Sequence, residues 1–275
     1  MARIHLFEIG DQEWCPRIIR DYFTDYLRYF ENLTHIYKDA APIIEKGLAS
    51  ASERKIIDLC SGASGPWSRL VEEVTNVEVL LTDLYPNKPR MSAINDLNLT
   101  TIKYCESPVD ASNVETSYAG LRTLFSGFHH FKPSQAESIL KDAVNKNEPI
   151  AVFEFTERTT LNLFIEPVVV TLAVLITTIF IKPRKITRYL FTYLIPIIPL
   201  MVVWDGYVSN LRTYSVQELA GMIKNLDADH YDWETGLKKT KHPGINLTYL
   251  LGRPKSRIKL KPKQKTQTAV EEALA

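Results

Sequence analysis

The sequence predicts an α/β fold built around a mostly parallel sheet, and three observations support this prediction. A short apolar run, Ile56–Asp58, ends in an acid and precedes a small-residue turn that contains Gly62 and Gly65. A second apolar run, Val77–Asp83, ends in another acid about 20 residues after the turn, as in sheets that bind a nucleotide cofactor. Near the end of the chain, two strand-like runs with a short connection predict an antiparallel hairpin.

Helices are predicted before the sheet begins. Across residues 11–48, apolar side chains recur at steps of three and four residues, which is typical of helices with one buried face. We therefore expect a helical cap over residues 1–50 that packs on the sheet.

The turn after the first strand has the composition of a ligand-binding turn. Gly62 and Gly65 can adopt positive φ and let the backbone approach a ligand closely. Pro66 suits the first position of a helix, where its missing N–H would have no partner inside the helix. A purely structural connection has a similar composition, so the turn and Asp83 have to be considered together.

Four further strands are expected downstream. Leu121–Ser126 is expected to be the fourth strand, and the continuous apolar run Ile150–Phe155 predicts a buried fifth strand. The runs His230–Glu234 and Leu247–Gly252 are the two strands of the closing hairpin.

Two helix starts carry the pattern of a capping box. Ser134 with Glu137 predicts one start after the fourth strand, and Ser215 with Glu218 predicts another before the closing hairpin. Both pairs are interpreted as architecture rather than as parts of a site.

These motifs, in this order, resemble those of the class I S-adenosylmethionine-dependent methyltransferases over roughly residues 50–160 and 205–254. The resemblance implies a Rossmann-like sheet of seven strands and S-adenosylmethionine as the cofactor. It implies that the glycine turn faces the methionine half of the cofactor and that the acid after the second strand binds the ribose. The cofactor-binding residues implied in this way are Asp58, Ser61, Gly62, Gly65, Asp83, Leu84, Asp110, Ala111 and Phe128.

The resemblance also points to residues for catalysis and substrate binding. His129 and His130 follow the fourth strand, in the position that lies beside the methyl group in the family, and histidine is readily tuned as a base near neutral pH. N-terminal helices of the family help to shape the substrate pocket, which makes Tyr22 and Tyr26 substrate candidates. Further substrate candidates lie in the polar and aromatic stretch after the apolar segments described below: Asp205, Arg212 and Tyr214.

The composition argues against some classes of site. The 275 residues carry a formal net charge of +1, so nothing indicates nucleic acid as a partner. Cys15, Cys60 and Cys105 are widely separated and no CxxC or HExxH spacing occurs, so we expect no metal site. An odd, scattered set of cysteines favours a reducing compartment.

Two other functions are compatible with the same pattern. A nicotinamide-dependent reductase can use the same open sheet, but no tyrosine has a lysine four residues later and no GxGxxG turn occurs. The third interpretation is a non-catalytic membrane-bound scaffold that keeps a degenerate cofactor fold.

Two apolar segments interrupt the predicted domain. Leu161–Ile181 contains Glu166 as its only charge and is long enough to span a bilayer, which needs about 20 residues. Tyr189–Trp204 is shorter and is broken by Pro196 and Pro199. Together they predict an apolar helical hairpin.

The basic linker between these segments, Lys182–Arg188, bears on their orientation. Two full spans would place this linker on the outer side of the membrane, against the tendency of Lys and Arg in short loops to stay cytoplasmic. A hairpin that dips into one leaflet or lies at the interface fits the charges better. True spanning and a soluble apolar cap or dimer face are the alternatives.

The sequence thus predicts a methyltransferase that acts on a small or lipophilic acceptor at the cytoplasmic face of a membrane. Its oligomeric state and the identity of the acceptor are not predicted. The expected segments are a helical cap (1–50), a cofactor-binding α/β core (51–160), an apolar hairpin (161–204), the completion of the core (205–254) and a basic disordered tail (255–275).

Overall fold

A single sheet organises the computed structural model, which describes residues 1–62, 65–86, 101–226, 228–242 and 244–255. The predicted tail beyond residue 255 lies outside the described residues. The strands within the described ranges are β1 (Lys55–Asp58), β2 (Glu78–Leu81), β3 (Ile102–Tyr104), β4 (Leu121–Phe125), β5 (Ile150–Glu154), β6 (Tyr231–Lys239) and β7 (Asn246–Pro254).

The strand order is β3-β2-β1-β4-β5-β7-β6. The first five strands in this order pair in parallel, whereas β7 runs antiparallel to both β5 and β6. The mostly parallel sheet with an antiparallel closing hairpin, predicted from the sequence, is confirmed.

The end of β1 lies at the point where the order of the strands reverses. Asp58 is in register with Leu81 of β2 on one side and with Thr123 of β4 on the other. In open α/β sheets, ligands bind outside the carboxyl ends of the strands at such a switch point. The topology therefore favours a ligand site at the residues that follow β1, β2 and β4.

Helices cover both faces of the sheet, and further helices extend from it. A 3₁₀ turn, Thr178–Phe180, directly follows the helix Thr160–Thr177, and a π turn, Leu190–Leu194, directly follows the helix Ile186–Tyr189. The α-helices in the part of the chain that the structure describes are α1 (Arg17–Thr34), α2 (Ala41–Leu48), α3 (Trp67–Leu70), α4 (Pro133–Asn145), α5 (Thr160–Thr177), α6 (Ile186–Tyr189), α7 (Ile197–Arg212) and α8 (Val216–Lys224).

Successive residues of β1 enter different cores. Ile56 packs in a cluster with Ile44 of α2 on one face, while Ile57 packs in a cluster with Ile139 of α4 and Leu219 of α8 on the other. Side chains alternate across a strand, and here both directions lead into apolar layers. This explains why Ile56 and Ile57 are consecutive apolar residues rather than an apolar and a polar one.

The N-terminal cap divides its contacts between the sheet and the apolar helices. Tyr22 and Tyr26 of α1 form a cluster with Val174 of α5 and with Ile198 and Val202 of α7. The end of α1, the connection to α2 and α2 itself face the sheet layer. The expectation that the whole cap packs on the sheet is therefore wrong for this face of α1, because α5 and α7 present an apolar surface there.

One of the two predicted capping boxes is observed. Ser215 Oγ accepts the N–H of Glu218 at 3.2 Å, and the Glu218 carboxylate accepts the N–H of Ser215 at 2.8 Å. At α4 the prediction is wrong by two residues, because Pro133 begins the helix and the N–H of Lys132 donates to the Gln135 side chain at 3.0 Å.

Two glycines provide a matched test of the closing hairpin. A Cβ at Gly252 would lie 2.3 Å from the Trp233 ring and 2.6 Å from the Tyr231 ring, whereas a Cβ at Gly221 in α8 would meet no atom within 4 Å. We expect Gly252→Ala to lower the free energy of unfolding by about 1–3 kcal/mol through overpacking. Gly221→Ala should raise it by about 0.5–1 kcal/mol, because alanine is the better helix former. Urea unfolding midpoints measure both, and shifts of the same sign would contradict this packing.

Candidate active site

The turn after β1 and the acid after β2 are in direct contact. The N–H of Gly62 donates to Oδ2 of Asp83 at 2.9 Å. Gly62 and Gly65 both have positive φ, +52° and +53°, as their composition predicts. Ala63 and Ser64 lie outside the described residues. The two elements that were predicted to share a cofactor therefore face each other at the carboxyl edge of the sheet.

Asp58 lies beneath this turn rather than at its surface. Its carboxylate is 1% exposed and accepts hydrogen bonds from Ser61 Oγ and Thr123 Oγ1, both at 2.6 Å. A Cβ at Gly65 would be only 3.2 Å from this carboxylate. Burial raises the pKa of Asp58 to about 6, against the opposing effect of its hydrogen bonds. Asp58 and Ser61 are thus placed to hold the shape of the turn.

The loop after β3 is joined to Asp83 through the backbone. The N–H of Val109 donates to the Asp83 carbonyl oxygen at 2.9 Å, which brings Asp110 and Ala111 to the same edge. Asp110 Oδ1 accepts the Ser112 N–H at 2.8 Å, while the Ala111 side chain is buried. Leu84, next to Asp83, is 44% exposed. Four predicted cofactor residues, Asp83, Leu84, Asp110 and Ala111, are therefore brought together.

Phe128 does not face this edge. Its side chain is fully buried and packs against Tyr214 with ring centroids 5.6 Å apart. The turn after β4 directs the ring into the core, so the structure does not bring the Phe128 side chain to the residues around Asp83. Tyr37 instead reaches the end of β4, where its hydroxyl lies 2.6 Å from Ser126 Oγ.

Glu31 near the end of α1 was not predicted as a site residue. It lines a small cleft, together with Asn32 and Tyr37 from the cap and Pro66 from the turn after β1. Burial, with a contribution from the charge of Asp58, raises the pKa of Glu31 to about 7. A single acid on an aromatic-rich helix gives no signal in the sequence, since only the fold places it near Asp58.

His129 is enclosed at the ends of β4 and β5. Its side chain is 3% exposed, and Nδ1 lies 2.8 Å from the carboxylate of Glu154, which also accepts the His129 main-chain N–H at 3.0 Å. Among the described residues, Nε2 of His129 has no hydrogen-bond partner. Oε1 of Glu8 lies 3.6 Å from this nitrogen.

His130 is more accessible and lies among carboxylates. Its side chain is 34% exposed, with Nδ1 3.2 Å from Asp11 and Nε2 3.7 Å from Glu8. Burial lowers the pKa of His130, but the hydrogen bond to Asp11 and the charges of Glu8 and Asp11 outweigh it and raise the pKa to about 9. The surroundings of His130 therefore favour its positively charged form.

The substrate candidates Asp205, Arg212 and Tyr214 hold the N-terminal segment. The carboxylate of Asp205 accepts the N–H groups of Ile9 and Gly10 at 2.7 and 2.9 Å. Arg212 donates to the Leu6 carbonyl at 2.7 Å. The Tyr214 ring lies 4.1 Å from the Arg3 guanidinium. All three residues are buried, and in this structure their contacts hold the N-terminal segment in place.

Tyr22 and Tyr26 lie away from the turn. The Tyr22 hydroxyl bonds to Thr187, and its ring faces Lys185 and Arg188 of the basic linker at 5.5 and 4.9 Å. Burial raises the pKa of Tyr26 to about 12. The two tyrosines join α1 to the apolar helices and are not brought to the site around Asp83.

No family model and no curated protein matches the sequence. Solved structures match it through the fold. The plantazolicin methyltransferase BpumL in complex with SAH aligns with a TM-score of 0.56 at 10% identity, covering 90% of this chain and 94% of that chain. The plantazolicin methyltransferase BamL, in complex with a triazolic desmethylPZN analog and SAH, aligns with a TM-score of 0.51 at 10% identity, covering 87% and 98% of the two chains.

A third structure is an O-methyltransferase (NcsB1) from neocarzinostatin biosynthesis, in complex with S-adenosylmethionine and 2-hydroxy-5-methyl naphthoic acid. It aligns with a TM-score of 0.50 at 13% identity, and the match covers 86% of this chain but only 58% of that chain. These likenesses establish that the chain has the fold of proteins solved with SAH or S-adenosylmethionine bound.

The raised pKa of Asp58 predicts a dependence of stability on pH. A carboxyl whose pKa is about 6 in the folded state, and lower in the unfolded state, binds protons more tightly when folded. Its contribution to stability therefore falls as the pH rises from about 4 to about 6. Asp58→Asn removes this titration, so the stability of the variant relative to the parent should increase over that range by up to about 3 kcal/mol.

Urea unfolding of both proteins at several pH values measures this difference. Asp232→Asn on β6 is the control, because that carboxylate is about half exposed and pairs only loosely with Lys255, at 4.0 Å. A difference between Asp58→Asn and the parent that stays constant with pH would show that Asp58 is not held in the arrangement described.

Proposed function

We propose that this chain is an S-adenosylmethionine-dependent methyltransferase that acts on a small or lipophilic acceptor near a membrane surface. The observation that carries the proposal is the contact between the Gly62 turn and the Asp83 carboxylate at the switch point of the sheet. Further support comes from the fold, which is shared with methyltransferases solved with SAH.

The residues at this edge fit an adenosyl cofactor. A Cβ at Gly62 would meet no atom within 4 Å, so there is room above the turn for a ligand to approach the backbone. Asp83 uses one lone pair of each oxygen for the N–H groups of Gly62 and Tyr85, which leaves further lone pairs for ribose hydroxyls. By the family resemblance, Asp110 would contact the adenine.

When bound, S-adenosylmethionine supplies an electrophilic methyl group for an in-line displacement. The protein then has to hold the acceptor within about 3–3.5 Å of that carbon and exclude water. An acceptor that loses a proton also needs a base. We propose two groups for this role. One is Nε2 of His129, when no ion is bound to it, and the other is the carboxylate of Glu31, whose pKa is raised to about 7.

The membrane part of the proposal rests on the surface of the apolar helices. Among the described residues, Thr160–Phe180 is the helix long and apolar enough to cross a membrane, and only 11% of it is buried. Phe164 is 77% exposed and Leu200 on α7 is 66% exposed. The exposed residues 182–187 of the adjacent linker include Lys182, which can approach anionic headgroups. This combination favours attachment at a membrane interface.

A binding experiment tests the cofactor assignment. We expect S-adenosylhomocysteine to bind the purified parent protein in isothermal titration calorimetry, and Asp83→Asn to weaken binding about 10- to 100-fold, since hydrogen bonds to a charged group contribute about 1.5–3 kcal/mol. Asp232→Asn should leave the affinity unchanged. Binding of a nicotinamide nucleotide in place of S-adenosylhomocysteine would favour the reductase. No binding of either would favour the scaffold.

Vesicle flotation tests the membrane surface. We expect the parent protein to float with vesicles that contain anionic phospholipid, and the double variant Phe164→Glu/Leu172→Glu to remain largely in the soluble fraction, because each carboxylate would have to enter the apolar layer. Leu237→Glu is a matched control, since Leu237 on β6 is also about half exposed but lies away from the apolar helices.

Two results of the flotation experiment would contradict interfacial attachment. A parent protein that does not float would do so, and so would a double variant that floats as well as the parent. If the parent stays soluble, light scattering shows whether a second copy of the chain covers the apolar face instead.

A further inference from the structure

We propose that Glu8, His129 and His130 form a binding site for a divalent transition-metal ion such as Zn²⁺. Ligand atoms of the three side chains lie within 4.8 Å of one another. The site goes beyond the proposed methyl transfer, and it ties the N-terminal segment to the ends of β4 and β5.

The two imidazoles converge on a single carboxylate. Nε2 of His129 lies 3.6 Å from Oε1 of Glu8, and Nε2 of His130 lies 3.7 Å from Oε2 of the same residue. The two rings are stacked at a tilt of 30° with centroids 4.4 Å apart, so they present their edges side by side. Ligands of a tetrahedral ion at about 2.1 Å are roughly 3.4 Å apart, which is close to the observed spacing.

Each imidazole is oriented by a second carboxylate on its other nitrogen. Nδ1 of His129 lies 2.8 Å from Glu154, and Nδ1 of His130 lies 3.2 Å from Asp11. For His129, the Glu154 carboxylate at Nδ1 favours the tautomer that carries its proton there and leaves the lone pair of Nε2 free. Nδ1 of His130 also lies 3.4 Å from Arg212 Nη1. This carboxylate–histidine arrangement is the usual outer shell of a metal-bound histidine.

The second observation that points to a ligand is the buried nitrogen itself. The His129 side chain is 3% exposed, and its Nε2 has no hydrogen-bond partner among the described residues. A neutral Nε2 that faces a carboxylate without a proton or a cation between them is unfavourable. An ion coordinated by both groups removes this conflict.

Glu8 keeps an oxygen available for coordination. Oε1 accepts a hydrogen bond from Ser209 Oγ at 3.1 Å and forms an ion pair with Arg212 Nη1, also at 3.1 Å, and both contacts hold the carboxylate in place. Oε2 is the oxygen nearer to His130. The partial exposure of His130 gives an ion a route from solvent and leaves a position for a further ligand. With an ion bound, Nε2 of His129 is a ligand and no longer available as a base.

The donor set selects the class of ion. Two imidazole nitrogens and one carboxylate suit Zn²⁺, Co²⁺ or Fe²⁺, whereas Mg²⁺ and Ca²⁺ prefer sites built from oxygen. The plain alternative is that His129 is an imidazolium ion paired with Glu8 and Glu154, with no ion involved. The experiment has to separate these two arrangements.

Titration of the chelator-treated full chain with Co²⁺ measures binding directly. We expect one equivalent of Co²⁺ to produce visible d–d absorption, Zn²⁺ to displace it, and Mg²⁺ to have no effect. Glu154→Gln should weaken binding about 10- to 100-fold through the outer shell, and Glu8→Gln and His129→Asn at least as much. His230→Asn, on an exposed histidine outside the cluster, should bind like the parent.

Two further measurements keep the proposal falsifiable if a buried variant does not fold. His130→Asn changes the more exposed ligand, and the X-ray absorption spectrum of the zinc-loaded parent reports the ligands without any mutation. Two imidazoles and no sulfur are expected. Sulfur ligation, the absence of binding by the parent, or equal affinities of the parent and the folded His130→Asn variant would overturn the site and leave only an adventitious ion or an imidazolium pair.

Discussion

The carboxylate of Asp58 is the constraint on which the geometry of the candidate active site depends. Both of its oxygens accept hydroxyl hydrogen bonds, one from the turn after β1 and one from β4, each at 2.6 Å. Its main-chain oxygen accepts the N–H of Thr82 at 2.8 Å, so the residue after β2 is joined as well. Because a buried carboxylate that loses its partners is costly, these three strand ends are held together, and Gly62 is held beside Asp83.

The sheet could be predicted from the sequence because most of its strands are marked by short runs of neighbouring residues. β1 and β5 contain short apolar runs, Ile56–Ile57 and Ile150–Phe153, that are visible without any knowledge of the partners. β3 has no such run, since Ile102 is buried, Lys103 is exposed and Tyr104 is half-buried, and this strand could not be located in the sequence. At α4, Ser134 and Glu137 form a valid capping pattern, but the local preference of Pro133 for the first helical position decides where the helix begins.

The candidate site could be predicted only where its residues follow the strands directly. Asp83 and Gly62 lie at the ends of elements that the sequence reveals, so their contact follows from the topology. The partners of Arg212 and Asp205 are about 200 positions away in the N-terminal segment, and no periodicity connects them. For the same reason, Glu8 gives no sign in the sequence of its place beside His129 and His130, because their spacing matches no metal-ligand motif.

The basic linker constrains how the apolar helices can meet a membrane. Arg188 is 1% exposed, donates to Asp25 of α1 at 2.6 Å and also donates to the carbonyl oxygens of Ile181 and Pro183. The helix Thr160–Phe180 starts after β5 and ends at the linker that Arg188 joins to α1. The helix is about 30 Å long. A crossing of the bilayer would carry Asp25 and the rest of that charged helix into or through the hydrocarbon, which is expensive. The proposed orientation, with the exposed face of α5 along the interface, avoids this cost.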